Sequence, residues 1–192
     1  MVDKLPDRAD ALPGPALGFI ETASIARGIE ALDALLKRAR VEVLLTTIVP
    51  RGKYLILFGG GVADVEEALK AGLETAGKNV VDHFLIPSVH PQLPGAIKGR
   101  VKVPGLEALG LIETRDVASA VYAGDAAAKA AKVTLVEARN QPGGKGLVVM
   151  TGAVGDVRAA VSAGVATVKQ DGMLVADVVI ALAHADMLPH VV

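Results

Sequence analysis

Residues 16–22 of this chain read ALGFIET, and residues 108–114 read ALGLIET. The two stretches lie 92 positions apart, and the match continues without a gap to Asn79 and Asp171, with about 25 identities in 64 aligned positions. A match of this length indicates a duplicated domain rather than a chance motif. Two nearly equivalent domains give one chain two nearly equivalent surfaces, so the repeat predicts assembly into a symmetric ring.

Composition restricts the class of protein. The 192 residues carry a net charge of −1, whereas a general nucleic-acid binder would have a basic excess. Aromatic residues make up only 3% of the chain, which argues against base-stacking surfaces. We therefore expect no nucleic-acid partner. The chain length and the repeat together predict two domains of about 85 to 90 residues each.

Cysteine content and apolar patterning restrict location and chemistry. The chain has no Cys, which excludes disulfides, Cys nucleophiles and Cys-ligated iron–sulfur clusters. Its first residues contain no apolar leader, and no uncharged apolar run reaches the 18 residues that a membrane span needs. We expect a cytoplasmic protein without a membrane partner. The hydrophobic content of 52% favours oligomerisation, with part of the apolar surface lying between subunits.

Each repeat predicts the order β-α-β-β-α-β, an α/β chain of the α+β, ferredoxin-like type with helices on one face of an antiparallel-containing sheet. The second and third strands of each repeat should form a hairpin. The predicted strands span residues 17–22, 41–49, 54–58 and 83–86 in the first repeat, and 133–138, 147–150 and 175–182 in the second.

Helix starts and faces also follow from the pattern. Ser24 and Asp116 precede the first helix of each repeat and should cap it through side-chain oxygens. In the first repeat, the periodic apolar residues of this helix predict one buried face; they are Ile25, Ile29, Leu32 and Leu36.

Four segments are expected along the chain. Residues 1–15, with three Pro and one Gly among charges, predict a flexible N-terminal tail. Residues 16–97 form the first domain, the polar segment 98–107 is a linker, and residues 108–192 form the second domain.

Two further motifs recur at the same spacing. The helix signature DALLK at 33–37 returns as DAAAK at 125–129, and GGVADV at 60–65 returns as GAVGDV at 152–157. Together with the ALGxIET strand, their order and duplication resemble the bacterial microcompartment shell domain. The resemblance covers about 90% of the chain and implies two tandem copies of that domain.

The resemblance implies a structural role. Tandem-domain shell proteins form trimers that imitate the hexamer of single-domain relatives, and these discs tile into a layer around enzymes. By resemblance, the chain is a homotrimeric, pseudo-hexameric subunit of a microcompartment shell with a central pore for small polar metabolites. Its implied partners are other shell proteins and encapsulated enzymes, and no catalytic activity is implied.

The resemblance also implies site residues. In the family the hairpin loops surround the pore, which assigns Pro50, Arg51 and Gly52 of the first repeat to its lining. A ring of Arg51 side chains, charged at any physiological pH, would favour anions; the alternative is that Arg51 is an ordinary solvated turn residue. The second repeat would contribute the equivalent loop residues, which are Pro142, Gly143 and Gly144.

Lys37 and Lys129 match the family's lysine at the edge where neighbouring discs meet. The alternative from spacing alone is an i,i+4 ion pair with Asp33 and Asp125, which would contribute only about 0.3–0.5 kcal/mol if exposed.

The likeness extends to the tandem shell proteins of propanediol-type compartments, which hold an iron–sulfur cluster at the pore. Such clusters need Cys thiolates, and this chain has none. Its residues therefore do not fit a protein-ligated cluster, and we expect no cofactor.

Other sites and functions have weaker support. The four His lack metal-ligand spacing, and no nucleophile, base and oxyanion donor occur together, so neither a metal site nor an enzyme is expected. The run Gly59-Gly60-Gly61 lacks the spacing of a phosphate-binding loop. A tandem α/β regulatory module that binds a small-molecule effector is the alternative function that stays open.

Overall fold

The computed structural model describes residues 14–191, except for the side chain of Leu188. Each repeat forms a four-stranded antiparallel sheet, which confirms the predicted fold. In the first repeat the strands lie in the order β2-β3-β1-β4. They are β1 (Ala16–Thr22), β2 (Val41–Val49), β3 (Lys53–Gly60) and β4 (Val80–Ile86).

The second sheet has the same topology, in the order β6-β7-β5-β8. Its strands are β5 (Ala108–Thr114), β6 (Thr134–Asn140), β7 (Gly146–Gly152) and β8 (Leu174–Ile180). The predicted hairpins are present as β2–β3 and β6–β7. The register is also duplicated, since Ala16 faces Gly60 and Ala108 faces Gly152.

Six helices accompany the sheets in the described part of the chain. They are α1 (Ile25–Arg38), α2 (Val62–Ala76), α3 (Leu93–Lys98), α4 (Val117–Ala130), α5 (Val154–Lys169) and α6 (Leu188–Val191). Both predicted caps are formed: the backbone N–H of Arg27 donates to Ser24 at 3.4 Å, and that of Ser119 donates to Asp116 at 2.7 Å.

Helix α3 was not predicted from the sequence. Its first turn contains Pro94 and Gly95, a pair that usually marks a turn. Proline is nevertheless tolerated in the first turn, where its missing N–H has no intrahelical acceptor. Leu93, Ala96 and Ile97 are buried in the same apolar cluster as Leu17 and other residues of the first sheet. Both faces of that sheet are therefore covered, rather than one.

Close helix-to-strand contact is duplicated as well. A β-carbon built on Gly72 of α2 would lie 2.6 Å from the Cδ1 atom of Ile20, and one on Gly164 of α5 would lie 2.6 Å from the Cδ1 atom of Ile112. Both helices approach their central strand more closely than any side chain allows, so only Gly fits there.

The predicted buried face of α1 is wrong in part, since Leu32 packs on the core of the first domain but two of its four residues do not. The residues that α1 buries are Gly28, Ala31 and Leu35, whereas Ile29 and Leu36 are exposed. The apolar side chains of α1 therefore lie on two faces, of which only one packs on its own domain.

The predicted tail at 1–15 lies outside the described residues, apart from Gly14 and Pro15. No helix of the described residues has the length and apolar character to cross a membrane.

Candidate functional site

The two hairpin loops lie side by side. The first is a 3₁₀ turn at Pro50–Gly52, and the second is closed by two backbone hydrogen bonds, from Gln141 to Lys145 at 2.7 Å and from Gly144 to Gln141 at 3.1 Å. A β-carbon on Gly144 would lie 3.4 Å from the Cδ atom of Pro50. The structure thus brings together the six residues that the resemblance assigned to a pore.

Two recesses flank these loops. The larger, about 700 Å³, is lined by residues 48–52 and 139–143, and we call it the loop recess. The smaller, about 270 Å³, lies against Glu21, Lys53 and Arg115, as well as both loops. Glu21 and Lys53 form an ion pair of 2.6 Å. The loops are therefore bordered by polar and charged groups rather than by a closed apolar core.

Arg51 has an unusual backbone. Its φ of 69° makes it the one non-glycine residue with positive φ in the described part of the chain. Gly143 occupies the equivalent position in the second repeat, with φ 90°. A side chain in this left-handed region costs about 1 kcal/mol, so the first loop keeps its guanidinium at a position where glycine fits without strain.

A buried carboxylate lies behind the second loop and was missed by the sequence analysis. The side chain of Glu137 is inaccessible to solvent and accepts from Arg100 Nε at 2.9 Å, from Arg139 Nε at 2.8 Å and from Gln141 Nε2 at 2.7 Å. Its position in the repeat corresponds to Leu45, so a charge in the middle of a strand was the available signal. Two cations and an amide offset the cost of burying this charge, and they fix Arg139 beside the loop recess.

The two domains meet through a polar contact around one Asp. Asp125 of α4 accepts the backbone N–H of His90 at 2.7 Å. Its second oxygen pairs with Lys129 at 2.5 Å, and the same ammonium group donates to the carbonyl of Ser88 at 2.5 Å. The recurrent Asp and Lys of this helix thus hold the segment that follows β4.

An aromatic contact accompanies the polar one. Phe84 stacks on Phe19 at 4.8 Å between ring centroids and packs on Tyr122 of the second domain at 4.7 Å. Such pairs contribute about 0.5–1.5 kcal/mol beyond their buried area. Burial, together with the negative charge of Asp82, raises the pKa of the Tyr122 phenol above its ordinary value.

Within the described residues, the second copies of these contact groups have no partner in the other domain. Asp33 and Lys37 pair with each other at 2.6 Å and are exposed. At the other end, His184 follows β8 in a turn with the same internal hydrogen bonds as the turn at His90. Among residues 14–191 we find no acceptor for the N–H of His184. Leu182, at the position equivalent to Ser88, is largely exposed.

The predicted edge lysines differ in their surroundings. Lys129 lies at the contact between the two domains, whereas Lys37 lies on the outer face of the first domain. Within the described residues no group of His, Cys, Asp and Glu could hold a metal ion.

Comparison with known proteins identifies the family. The model of the BMC domain matches residues 16–89 and again residues 108–182. The chain belongs to the bacterial microcompartment shell protein family. As a tandem BMC-domain protein it is a structural shell protein, and its place in the cell is the microcompartment shell. This membership favours the shell protein over the regulatory module.

Individual relatives agree with this assignment. The chain is 38% identical to the bacterial microcompartment shell protein PduT of Citrobacter freundii over 90% of this chain and 95% of that protein. It is 28% identical to the carboxysome assembly protein CcmO of Synechococcus elongatus over 94% of this chain and 70% of that protein.

A solved structure has the same arrangement of both domains. A microcompartment protein from Desulfitobacterium hafniense superposes with a TM-score of 0.87 at 44% identity, covering 92% of this chain and 99% of that one. The tandem BMC architecture is thus shared over nearly the whole chain.

Proposed function

We propose that three copies of this chain form a pseudo-hexameric plate with a central pore for small polar metabolites, and that such plates build part of a microcompartment shell. The observation that carries the proposal is the contact between the two domains of one chain. At that contact, donors and acceptors of the two domains are paired with each other. The equivalent groups at the two ends of the chain lack such partners among the described residues.

The polar groups at the two ends are complementary. Inside the chain, Asp125 accepts the N–H of His90. The equivalent acceptor is Asp33, whose Oδ2 pairs with Lys37 and whose Oδ1 is left for a donor. The equivalent donor is the N–H of His184. In the proposed trimer His184 of one chain donates to Asp33 of the next, and Lys37 donates to the carbonyl of Leu182.

The apolar groups at the two ends match in the same way. Val178 occupies the position of Phe84 and is exposed, as is Leu182. Ile29 and Leu36 are exposed on α1, the helix equivalent to the one that receives Phe84. Covering these side chains would contribute about 25 cal/mol per Å² of apolar area before association costs. The exposed apolar side chains of α1 would thus form a contact between subunits.

A ring built this way would bring six hairpin loops to one axis. The loops at Pro50–Gly52 and 142–144 lie side by side in the chain, and three chains would repeat the pair three times. All six predicted residues would then line the pore. Three copies of Arg51 would give it a positive potential that favours anions.

Lys37 and Lys129 would lie on the rim of such a plate. Each would use part of its ammonium group at a domain contact, since Lys129 bonds Ser88 while its side chain stays partly exposed. The exposed part is available to a neighbouring plate, another shell protein or cargo at the edge. This is the proposed edge role of the two lysines.

Negative-stain electron microscopy of the purified protein tests the proposal. We expect particles with threefold symmetry, a six-sided outline and a central hole, which tile into sheets at higher concentration.

Sheets that persist in the double variant Lys37→Ala, Lys129→Ala would contradict the edge role. An anion flux that Arg51→Ala leaves unchanged would contradict the charge role at the pore.

A further inference from the structure

We propose that the loop recess binds small organic anions, with Arg51 and Arg139 as the two cationic contacts and Ile48 as the apolar one. The inference rests on the proposed pore, because it names the class of molecule that the pore would admit. The recess itself is formed within one chain, between its two hairpin loops.

Two arginines line one recess. Arg51 and Arg139 both line the loop recess, and none of its ten lining residues is acidic. Asn140 and Gln141 add amide groups to the same wall. Guanidinium groups recognise carboxylates by paired N–H donors. The recess thus offers donors and positive charge to an anion. The carboxylate that contacts its lining residues, Glu137, is inaccessible to solvent and is paired with two arginines.

Arg139 is held so that its donors stay available. Its Nε atom donates to Glu137 at 2.8 Å, and among the residues that the structure describes its two terminal nitrogens have no acceptor. Arg100 pairs with the other oxygen of Glu137 at 2.9 Å and balances the charge of that carboxylate. The positive charge of Arg139 is therefore in excess, and Glu137 acts as its positioning residue.

The backbone of Arg51 gives independent support. The first loop tolerates a left-handed conformation at Arg51, φ 69°, where the second loop has Gly143. Strained non-glycine residues of this kind concentrate at functional sites. No protein acceptor for the Arg51 guanidinium occurs in the described part of the chain, so this group too is available to a ligand.

The other wall of the recess is apolar. Ile48 is largely exposed and lines the recess next to Pro50, with Pro142 on the opposite loop. An inorganic ion would leave this surface in water, whereas a short hydrocarbon chain would cover it. Each covered methylene strengthens binding about fourfold. The recess therefore fits a small organic anion better than a simple ion.

Affinity should be weak, because a permeant molecule has to leave the pore as readily as it enters. We expect butyrate to bind the assembled protein saturably in the millimolar range at low salt, by saturation-transfer NMR. Formate lacks the three carbon atoms that would cover the apolar wall and should bind at least about tenfold more weakly. Arg51→Gln and Arg139→Gln should each weaken butyrate about fivefold. Ile48→Ser should weaken butyrate but leave formate unchanged.

The matched control is Arg158→Gln, which removes the same charge from the exposed face of α5. Arg139→Lys keeps a cation that Glu137 can hold and should retain more butyrate binding than Arg139→Gln, even if the latter folds poorly. The inference is overturned if butyrate shows no saturable binding, or if Arg158→Gln weakens it as much as Arg139→Gln.

The same samples separate this inference from the proposed function. Their mass is measured by sedimentation before each titration. A trimer that does not bind butyrate overturns the recess and leaves the shell plate intact. A monomeric sample would contradict the proposed plate. The butyrate titration would still test the recess, because one chain forms the recess alone.

Discussion

Asp125 accepts the backbone N–H of His90 at 2.7 Å and so joins the two domains of one chain. Its side chain is only 9% exposed, whereas that of the equivalent Asp33 is 62% exposed. The two residues occupy the same place in duplicated helices, so the difference comes from what covers them. An internal contact with one satisfied copy and one open copy is the physical basis of the proposed assembly.

The first prediction compares two valines of β8. Val178 and Val175 are similarly exposed, at 45% and 42%. Their counterparts in the first repeat differ, because Phe84 is 6% exposed at the domain contact and Val81 remains 49% exposed. We expect Val178→Asp to abolish the trimer by placing a charge in the contact. Val175→Asp should leave the trimer intact, as measured by light scattering after size exclusion. Equal behaviour of the two variants would contradict the proposed contact.

The second prediction concerns Asp33. Asp33→Ala should weaken trimer formation about tenfold or more, because a charge-assisted hydrogen bond contributes about 1.5–3 kcal/mol. Sedimentation at several concentrations measures this change. The control Glu66→Ala removes an exposed carboxylate of α2 and should change nothing. A trimer of unaltered affinity in Asp33→Ala would count against the hydrogen bond to His184.

The first domain illustrates what could be predicted from the sequence. The strands at 41–49 and 16–22 follow from β-branched and apolar runs of strand length. The face of α1 could not be predicted, since Ile29 and Leu36 have the right period but are exposed in the folded chain. Periodicity finds an apolar face but does not say which molecule covers it.

Only part of the candidate site could be predicted from the sequence. The hairpin loops could be located, because Pro and Gly between two strand patterns favour a turn. Glu137 and Arg139 could not, since a charged strand residue ordinarily faces solvent. Their role depends on Arg100, which is distant in sequence and reaches Glu137 only when the linker crosses β6, where Val101 donates to Val136 at 2.8 Å. Helix α3 could not be predicted, because its first turn contains Pro94 and Gly95, residue types that usually mark a turn.

A third prediction follows from that buried carboxylate. Glu137→Gln should lower the free energy of unfolding by about 1–3 kcal/mol, because Arg100 and Arg139 lose their charged acceptor. Both arginines are partly exposed, so solvent keeps the loss below that of a fully buried pair. Urea denaturation at fixed chain concentration measures it. Glu67→Gln, which weakens the exposed pair with Arg38, is the control and should cost less, because solvent screens an exposed ion pair.

A fourth prediction concerns alkaline pH. Burial and the charge of Asp82 raise the pKa of Tyr122 in the folded chain. Above the ordinary tyrosine pKa of about 10 the unfolded chain loses this proton more readily than the folded one, so stability should fall as pH rises. Tyr122→Phe should reduce this fall, as followed by thermal unfolding between pH 8 and about 11. An unchanged pH dependence in Tyr122→Phe would contradict the role of the phenol.

The central claim is that the open ends of one chain join those of the next and close after three chains. It is tested most directly by thiol cross-linking, since the chain has no Cys of its own. Glu30→Cys and Val178→Cys occupy the positions equivalent to Tyr122 and Phe84, whose rings lie 4.7 Å apart. With a short bis-maleimide, the double variant should give a covalent species of three chains and nothing larger. A result of single chains only, or of a ladder extending beyond three, would contradict the account.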